Sequence, residues 1–502
     1  MASEQELRKT KANSEHVLLL PFMAQGHLIP TLALAKILDQ RTPHTITILN
    51  TPLNIQRLRS SLPPNTTIQL SKLPFNPTDH GLPPSSENTD SLPPHLILPF
   101  IRASESFQPH LHRLLSSLCS AGCRPLCIIS DEFMSWSVDS AREFGIFHSV
   151  FNTGGAYGSA IFFSVWTHLP YKNNTTIHTA QDDEDEEFPL PDFPETTLRR
   201  SQLSESPRSV EEDDPWAVLF RKHLSFIERS DGMILNTVEE LETKGMRHLR
   251  SKNRWGRVWA IGPLIRPPSP LPIVETNCIE WLNQHPPASV VYISFGSQNT
   301  INLSQMMEMG KGLEASGKPF IWVIRPPTGF DLNDEFRAEE WLPEGLEERI
   351  AARKQGVLVK KWAPQMEILG HESTGAFLSH CGWNSVLESL SCGVPIIGWP
   401  MGAEQPFNSK LLEEELGVGV EMARWSKAEI RADEVARVVG VVMDGVSEKG
   451  GEMRRKAKQI AEVIRGALVE EEGRKGSSIR AIEDFIQTAL SNRRIDGCFK
   501  TH

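Results

Sequence analysis

Residues 362–405 read WAPQMEILGHESTGAFLSHCGWNSVLESLSCGVPIIGWPMGAEQ. Here the strand-like GAFLSH turns through the Gly-polar corner CGWNS into the amphipathic VLESLSC. A strand ending at His380 and turning through Gly382 into a helix aims backbone N–H groups at one point, which suits a phosphate or diphosphate. The closing acid–amide pair, Glu404–Gln405, suits hydroxyls rather than phosphates. Diphosphate plus hydroxyls suggests a nucleotide-sugar. Ser297, after Gly296 at the end of VVYISFGS, can bring a hydroxyl and an N–H beside the diphosphate. Trp362 follows GVLVKK, where an indole can stack on a base, with the Ala363 backbone and Gln365 at the base's polar edge. A core tryptophan is the competing reading. Glu388, three residues after Ser385 on the same predicted helix, can accept hydrogen bonds from ribose hydroxyls or be an ordinary surface acid.

A second corner lies near the N-terminus, in PFMAQGHLIPTLALAKIL. Gly26 allows a tight turn, and His27 is expected just before a helix whose first turn carries Pro30, where proline is tolerated. Ligands of open α/β sheets bind beyond the carboxyl ends of strands, so His27 is placed at a crevice. An imidazole there can accept a proton near neutral pH. Asp131 ends the strand-like LCIISD, and an Asp on the far nitrogen of His27 would fix its tautomer. Each also has a structural reading, as a turn histidine and a turn or cap aspartate. Spacing cannot pair residues 104 apart.

The elements that must carry these residues alternate strand and helix. HVLLLPF (16–22), TITILN (45–50), TIQLSKL (67–73), LCIISD (126–131) and IFHSVFN (146–152) predict strands in the first half. In the second half SVVYISFGS (289–297), PFIWVIR (319–325), GVLVKKW (356–362), GAFLSH (375–380), VPIIGW (394–399) and GVGVEM (417–422) do the same. Helical runs fall between most of them, so the fold class is α/β, with two parallel sheets. A polar tail is expected over 1–15, a first domain over 16–262, a proline-rich linker over 263–277, a second domain over 278–478 and a final helix with a frayed tail over 479–502. The acids Asp182–Glu187 repel one another and predict an exposed loop, or a lid near a substrate mouth.

Composition narrows the functional classes. The chain has 502 residues, 39% hydrophobic and 23% charged, with net charge -11. This is ordinary for a globular protein and disfavours nucleic acid or an anionic membrane as partner. The polar start and the lack of an 18-residue apolar run predict a cytoplasmic protein without stable membrane insertion. Seven cysteines are too few and too irregular for a disulfide framework. Cys119, Cys123 and Cys127 have no nearby His at zinc spacing, and Asn65 and Asn174 sit in sequons that mean little without secretion. One glycine in MAQGHLIP falls short of the GxGxxG of a dinucleotide dehydrogenase, Gly417-Val-Gly419 lacks the third, and no GxxxxGK[ST] occurs.

Together these residues resemble the plant secondary-product UDP-glycosyltransferases, family 1 of the glycosyltransferases. That family's signature box runs 44 residues from the W of WAPQ to the Q of a D/E-Q pair, as do Trp362–Gln405 here, with HCGWNS and GVP in place. GHLIP at 26–30, ISDEF at 129–133, NTVEELE at 236–242 and SFGS at 294–297 extend the likeness. It weakens over 54–125 and 160–230, where the family's acceptor loops vary. The resemblance implies a GT-B fold: two Rossmann-like domains facing across a cleft, acceptor on the first and UDP-sugar on the second, with the last helix crossing back. It implies His27 as general base and Asp131 as its partner. Trp362 would stack on uracil, with Ala363 and Gln365 at its edge, and Glu388 would hold the ribose. His380, Gly382, Asn384, Ser385 and Ser297 would meet the diphosphate, and Trp383, Glu404 and Gln405 the sugar. Thr153 in FNTGG matches a hydroxyl residue near sugar or phosphate. The family more often has Asp where Glu404 stands. Gln405 and Trp383 fit the glucose-using pattern, so UDP-glucose is the expected co-substrate, with UDP-xylose or UDP-rhamnose as lesser options.

The implied reaction inverts the anomeric carbon, needs no cofactor and no metal, and runs in a monomer. The expected acceptor is a small hydrophobic hydroxylated metabolite, flavonoid, phenolic or terpenoid, given apolar segments such as GGAYGSAIFFSVW (154–166). A glycoside acceptor and a non-catalytic nucleotide-sugar binder are the alternatives.

Overall fold

The computed structural model describes residues 16–90, 92–170, 187–203, 213–251, 254–265, 276–331, 334–360 and 362–498. Most of the expected linker, and of the acidic run all but Glu187, lie outside them. The chain forms two compact units: residues 1–156, 210–265 and 467–502, and residues 157–209 and 266–466. Each is built on a parallel sheet.

The first sheet takes β1 (His16–Leu20), β2 (Thr45–Asn50), β3 (Gln69–Lys72), β4 (Cys127–Asp131) and β5 (Phe147–Asn152). After a separate antiparallel hairpin, β6 (Glu187–Pro189) with β7 (Thr197–Arg199), it is completed by β8 (Gly232–Leu235) and β9 (Arg257–Ala260). Its order is β3-β2-β1-β4-β5-β8-β9. Both faces are covered, which explains the continuous apolar strands. Val17 and Leu19 enter one core with Leu28, Leu34 and Leu38. Leu18 and Leu20 enter the other with Phe100, Phe107 and Trp136. The helix Ser477–Cys498 adds Ile482, Phe485 and Ala489 to the first of these cores.

The second sheet has the order β12-β11-β10-β13-β14-β15, formed by β10 (Val290–Ser294), β11 (Phe320–Val323), β12 (Gly356–Val359), β13 (Thr374–Ser379), β14 (Ile396–Gly398) and β15 (Gly419–Glu421). Register decides what meets at the strand ends. In the first sheet Leu20 pairs with Ser130 and Asp131 with Phe151, so the loops after β1, β4 and β5 are neighbours. In the second, Ser294 pairs with Ser379 and Ser379 with Gly398, so the loops after β10, β13 and β14 are neighbours.

Two sequence expectations are corrected. The first helix spans Gln25–Arg41, so His27 lies inside its first turn and Pro30 inside the helix. Pro30 has no N–H to offer the carbonyl four residues back, that of Gly26, and Gly26 is an exposed residue. The strands β8 and β9 were not anticipated: GMIL and RVWA are too short to show a period.

Candidate functional site

In the first unit, His27 and Asp131 meet. His27 Nδ1 lies 2.6 Å from Asp131 Oδ2. The carboxylate is 1% exposed and the imidazole 21%. Asp131's other oxygen accepts the Phe133 N–H at 3.0 Å and caps the turn Glu132–Met134. The carboxylate therefore has one orientation. Facing Nδ1, it favours the proton there and leaves Nε2 as the basic nitrogen. Thr153 Oγ1 stands 3.5 Å from His27 Nδ1. Asn152 holds the loop that carries Thr153: its Nδ2 donates to Glu132 Oε2 at 3.0 Å and its Oδ1 accepts from Gly154 N at 2.7 Å. Aromatic rings flank the histidine, Phe22 at 5.5 Å edge-on and Phe133 at 5.9 Å. Sequence reasoning missed both rings, although each lies next to a recognised corner.

In the second unit, β10 leads into Phe295, Gly296 and Ser297. Gly296 is left-handed at φ 78°, and Arg325 donates to the Ser297 carbonyl. The His380 ring fills the space beside it: a Cβ on Gly296 would lie 2.8 Å from the imidazole, and one on Gly382 2.4 Å from Nε2. Only glycines allow that packing. Burial pushes the His380 pKa down to about 4, so the ring is neutral at pH 7, and its Nδ1 is buried without a hydrogen-bond partner. Gly382 starts the helix Trp383–Ser391 without a capping side chain. The first turn, Trp383 to Ser385, carries the amides that a helix cannot bond internally.

Trp362 is 52% exposed, which disposes of the core reading, while Ala363 beside it is buried. Gln365 is the hub of a small network. Its Nε2 donates to Ser385 Oγ at 3.0 Å and Glu388 Oε2 at 2.6 Å, and its Oε1 accepts from the Tyr292 hydroxyl at 3.2 Å. Burial pushes the Tyr292 phenol's pKa up, so it stays a donor. Tyr292 also escaped the sequence reading, being one apolar-looking position in VVYIS.

Trp383 is buried and Asn384 half-buried. Past β14, Gln405 Oε1 accepts the N–H groups of Met401 and Gly402 at 2.8 and 3.0 Å, which fixes the amide and leaves its NH₂ as the donor. Glu404 Oε1 accepts from Asn408 Nδ2 at 3.1 Å. Asn408 was missed, though it stands one helical turn beyond the acid–amide pair. Among the described residues no group of three or more His, Cys, Asp or Glu is arranged to hold a metal ion, and no helix is long and apolar enough to cross a membrane.

One unit thus carries an imidazole braced by a carboxylate. The other carries an exposed indole, an acid–amide network, a glycine-lined helix start and an acid–amide pair. Residues 266–455 match the family described as UDP-glucoronosyl and UDP-glucosyl transferase. The chain is 40% identical over 495 residues to UDP-glycosyltransferase 92A1 of Arabidopsis thaliana, covering 96% of this chain and 99% of that one. It is 43% identical over 497 residues to crocetin glucosyltransferase 3 of Crocus sativus, covering 94% and 98%. The structure of Phytolacca americana UGT2 complexed with UDP-2fluoro-glucose and pterostilbene is similar at TM-score 0.77 and 29% identity, over 95% of this chain and 100% of that one. With relatives matched over nearly their whole length, this chain belongs to the plant UDP-glycosyltransferases of glycosyltransferase family 1, enzymes that move a sugar from a UDP-sugar to a small-molecule acceptor.

Proposed function

We propose that this chain transfers glucose from UDP-glucose to a hydroxyl of a small, largely apolar plant metabolite, a phenolic or terpenoid, with inversion at the anomeric carbon. The observation that carries the reading is the 2.6 Å contact between His27 and a buried, doubly engaged Asp131. In this reading the domain over 16–262 holds the acceptor and that over 278–478 the donor. His27 Nε2 removes the acceptor's hydroxyl proton. The oxygen bonds to the anomeric carbon as the carbon–oxygen bond to UDP breaks, and Asp131 stabilises the imidazolium. The charge growing on the diphosphate is met by the helix start at Gly382–Ser385, by His380 as a neutral donor and by Ser297, with Thr153 nearby. Trp362 stacks on uracil, Ala363 and Gln365 read its edge, and Glu388 takes the ribose. Trp383, Glu404 and Gln405 face the sugar.

Glucose is favoured by Gln405 and Trp383, and by a relative named for glucosyl transfer. An apolar acceptor is favoured by Phe22 and Phe133 beside the base, and by the crocetin and pterostilbene in the names of the relatives. The protein would work in the cytoplasm as a monomer, without metal. The test is a mass-spectrometric screen of phenolic and terpenoid acceptors against several UDP-sugars, run beside His27→Ala and with EDTA. The expected outcome is hexose transfer that survives EDTA and falls about 10²–10⁴-fold in the variant. Wild-type turnover by His27→Ala would remove the base assignment. UDP-glucose binding with no acceptor glycosylated would favour a binding protein.

A further inference from the structure

The turn between His380 and the helix Trp383–Ser391 is held by the Ser379 hydroxyl, which accepts the Cys381 N–H at 3.2 Å, and by the Asn408 side chain. Cys381 sits at φ 61°, a region unfavourable for a residue with a Cβ. Its carbonyl accepts from Asn408 Nδ2 at 3.0 Å, and the same nitrogen donates to Glu404 Oε1 at 3.1 Å. Both neighbours are acceptors, so the amide has one orientation; flipped, it would press oxygen against oxygen. Asn408 is 0% exposed, and its Oδ1 has no hydrogen-bond partner. Against that oxygen stands Gly158, in the helix Ala156–His168. A Cβ on Gly158 would lie 2.4 Å from Asn408 Oδ1 and 3.5 Å from Glu404 Cγ. Glycine at this position is what admits the asparagine.

We propose that Asn408, backed by Gly158, is a positioning residue that sets which hexose the donor site accepts. It does so by fixing the Glu404 carboxylate against the Cys381–Gly382 turn. The proposal rests on the reading that Glu404 and Gln405 face the donor sugar. A glutamate has one more rotatable bond than an aspartate, and Asn408 removes that freedom by anchoring Oε1. Gln405 is oriented independently by the Met401 and Gly402 amides. An acceptor and a donor held at fixed places can tell an equatorial hydroxyl from an axial one; a swinging carboxylate cannot.

The test uses Asn408→Asp, which keeps the shape but loses the donor, and Gly158→Ala, which displaces the asparagine from the other side. Calorimetry would measure UDP, UDP-glucose and UDP-galactose binding to the full chain, with a thermal scan of each variant. Both variants are expected to bind UDP within about twofold of wild type while losing about tenfold of the preference for UDP-glucose over UDP-galactose, the effect of one hydrogen bond to a charged group. A lowered melting temperature with the glucose preference intact would make Asn408 merely structural and overturn the proposal. Loss of UDP binding in step with loss of the preference would also overturn it, since the whole corner would then have collapsed. A wild-type chain that binds UDP yet gains nothing from the glucosyl group would instead sink the donor reading beneath it.

Discussion

Asp131 performs two tasks with two oxygens, and asparagine can separate them. One oxygen faces His27 and the other caps Phe133. In Asp131→Asn the remaining oxygen can still cap the turn, but the NH₂ facing His27 donates where the carboxylate accepted. The ring proton then moves to Nε2, the nitrogen proposed as base. We expect kcat to fall by about 10²–10⁴-fold, as for loss of general base catalysis, with the melting temperature nearly unchanged. Asp131→Ala should also lose the cap, worth about 1 kcal/mol. Steady-state kinetics beside a thermal scan checks this; activity that falls only as stability falls would make Asp131 a structural cap. At this scale much was legible. Asp131 ends a strand and His27 lies in the first turn of the helix that follows one, and strand ends can be read from apolar runs bounded by turn residues. That they touch was not legible, because sheet register brings them together. Asn408 was hidden for a related reason: its partners include the Cys381 carbonyl, which has no sequence signature.

Turns between elements carry the geometry of the proposed donor site, and Gly296 is an exacting one. It combines a left-handed backbone with a neighbour, His380, that leaves no room for a Cβ. Gly296→Ala should cost about 1–3 kcal/mol in backbone strain. It should also push the imidazole off its seat, weakening UDP binding more than it weakens the fold. Titration with UDP, followed through Trp362 fluorescence, would show this, and an unchanged Kd would mean that the ring is not part of the donor site. Element types were read correctly where apolar runs were long, as in HVLLLPF or GAFLSH. Ends were less accurate. The His27 helix starts two residues earlier than the histidine because Ala24 already takes the extended cap conformation. The four-residue strands β8 and β9 were missed because they draw their stability from neighbouring strands rather than from their own pattern.

Across the whole molecule, buried histidines give the fold a pH dependence. His148 is buried among the hydroxyls of Ser130, Ser137 and Ser230, and burial lowers its pKa to about 3. Burial likewise lowers that of His223 to about 4. An unfolded histidine titrates near 6.5. Below that pH the unfolded chain takes up protons that the folded chain refuses, so stability is whole above about 6.5 and drains as pH falls toward 4. The slope is about 1.4 kcal/mol per pH unit for each of these two side chains. Melting temperatures from pH 7 to 4.5 should therefore fall, and His148→Gln should flatten the curve. A flat wild-type profile would refute the account.

The path of the chain has a consequence in time. Phe485 packs edge-on against Trp259 at 5.3 Å and against Phe147 at 6.1 Å, and Asp484 accepts from the Trp259 indole N–H at 2.7 Å. The first sheet therefore lacks part of its covering until the last helix has been made. Synthesis proceeds at about 5–20 residues per second. From the completion of β9 until residue 485 emerges, the nascent protein carries an open apolar face while residues 266–466 of the second unit are being built. A fragment ending at Ile265 should consequently aggregate, and supplying the helix 477–498 as a separate peptide should restore its solubility, as light scattering would reveal. Ribosome-bound chains of this enzyme are, on this view, clients for chaperones while residues 266–485 are made, and damage to the codons for residues 477–498 falls on the part of the protein translated first.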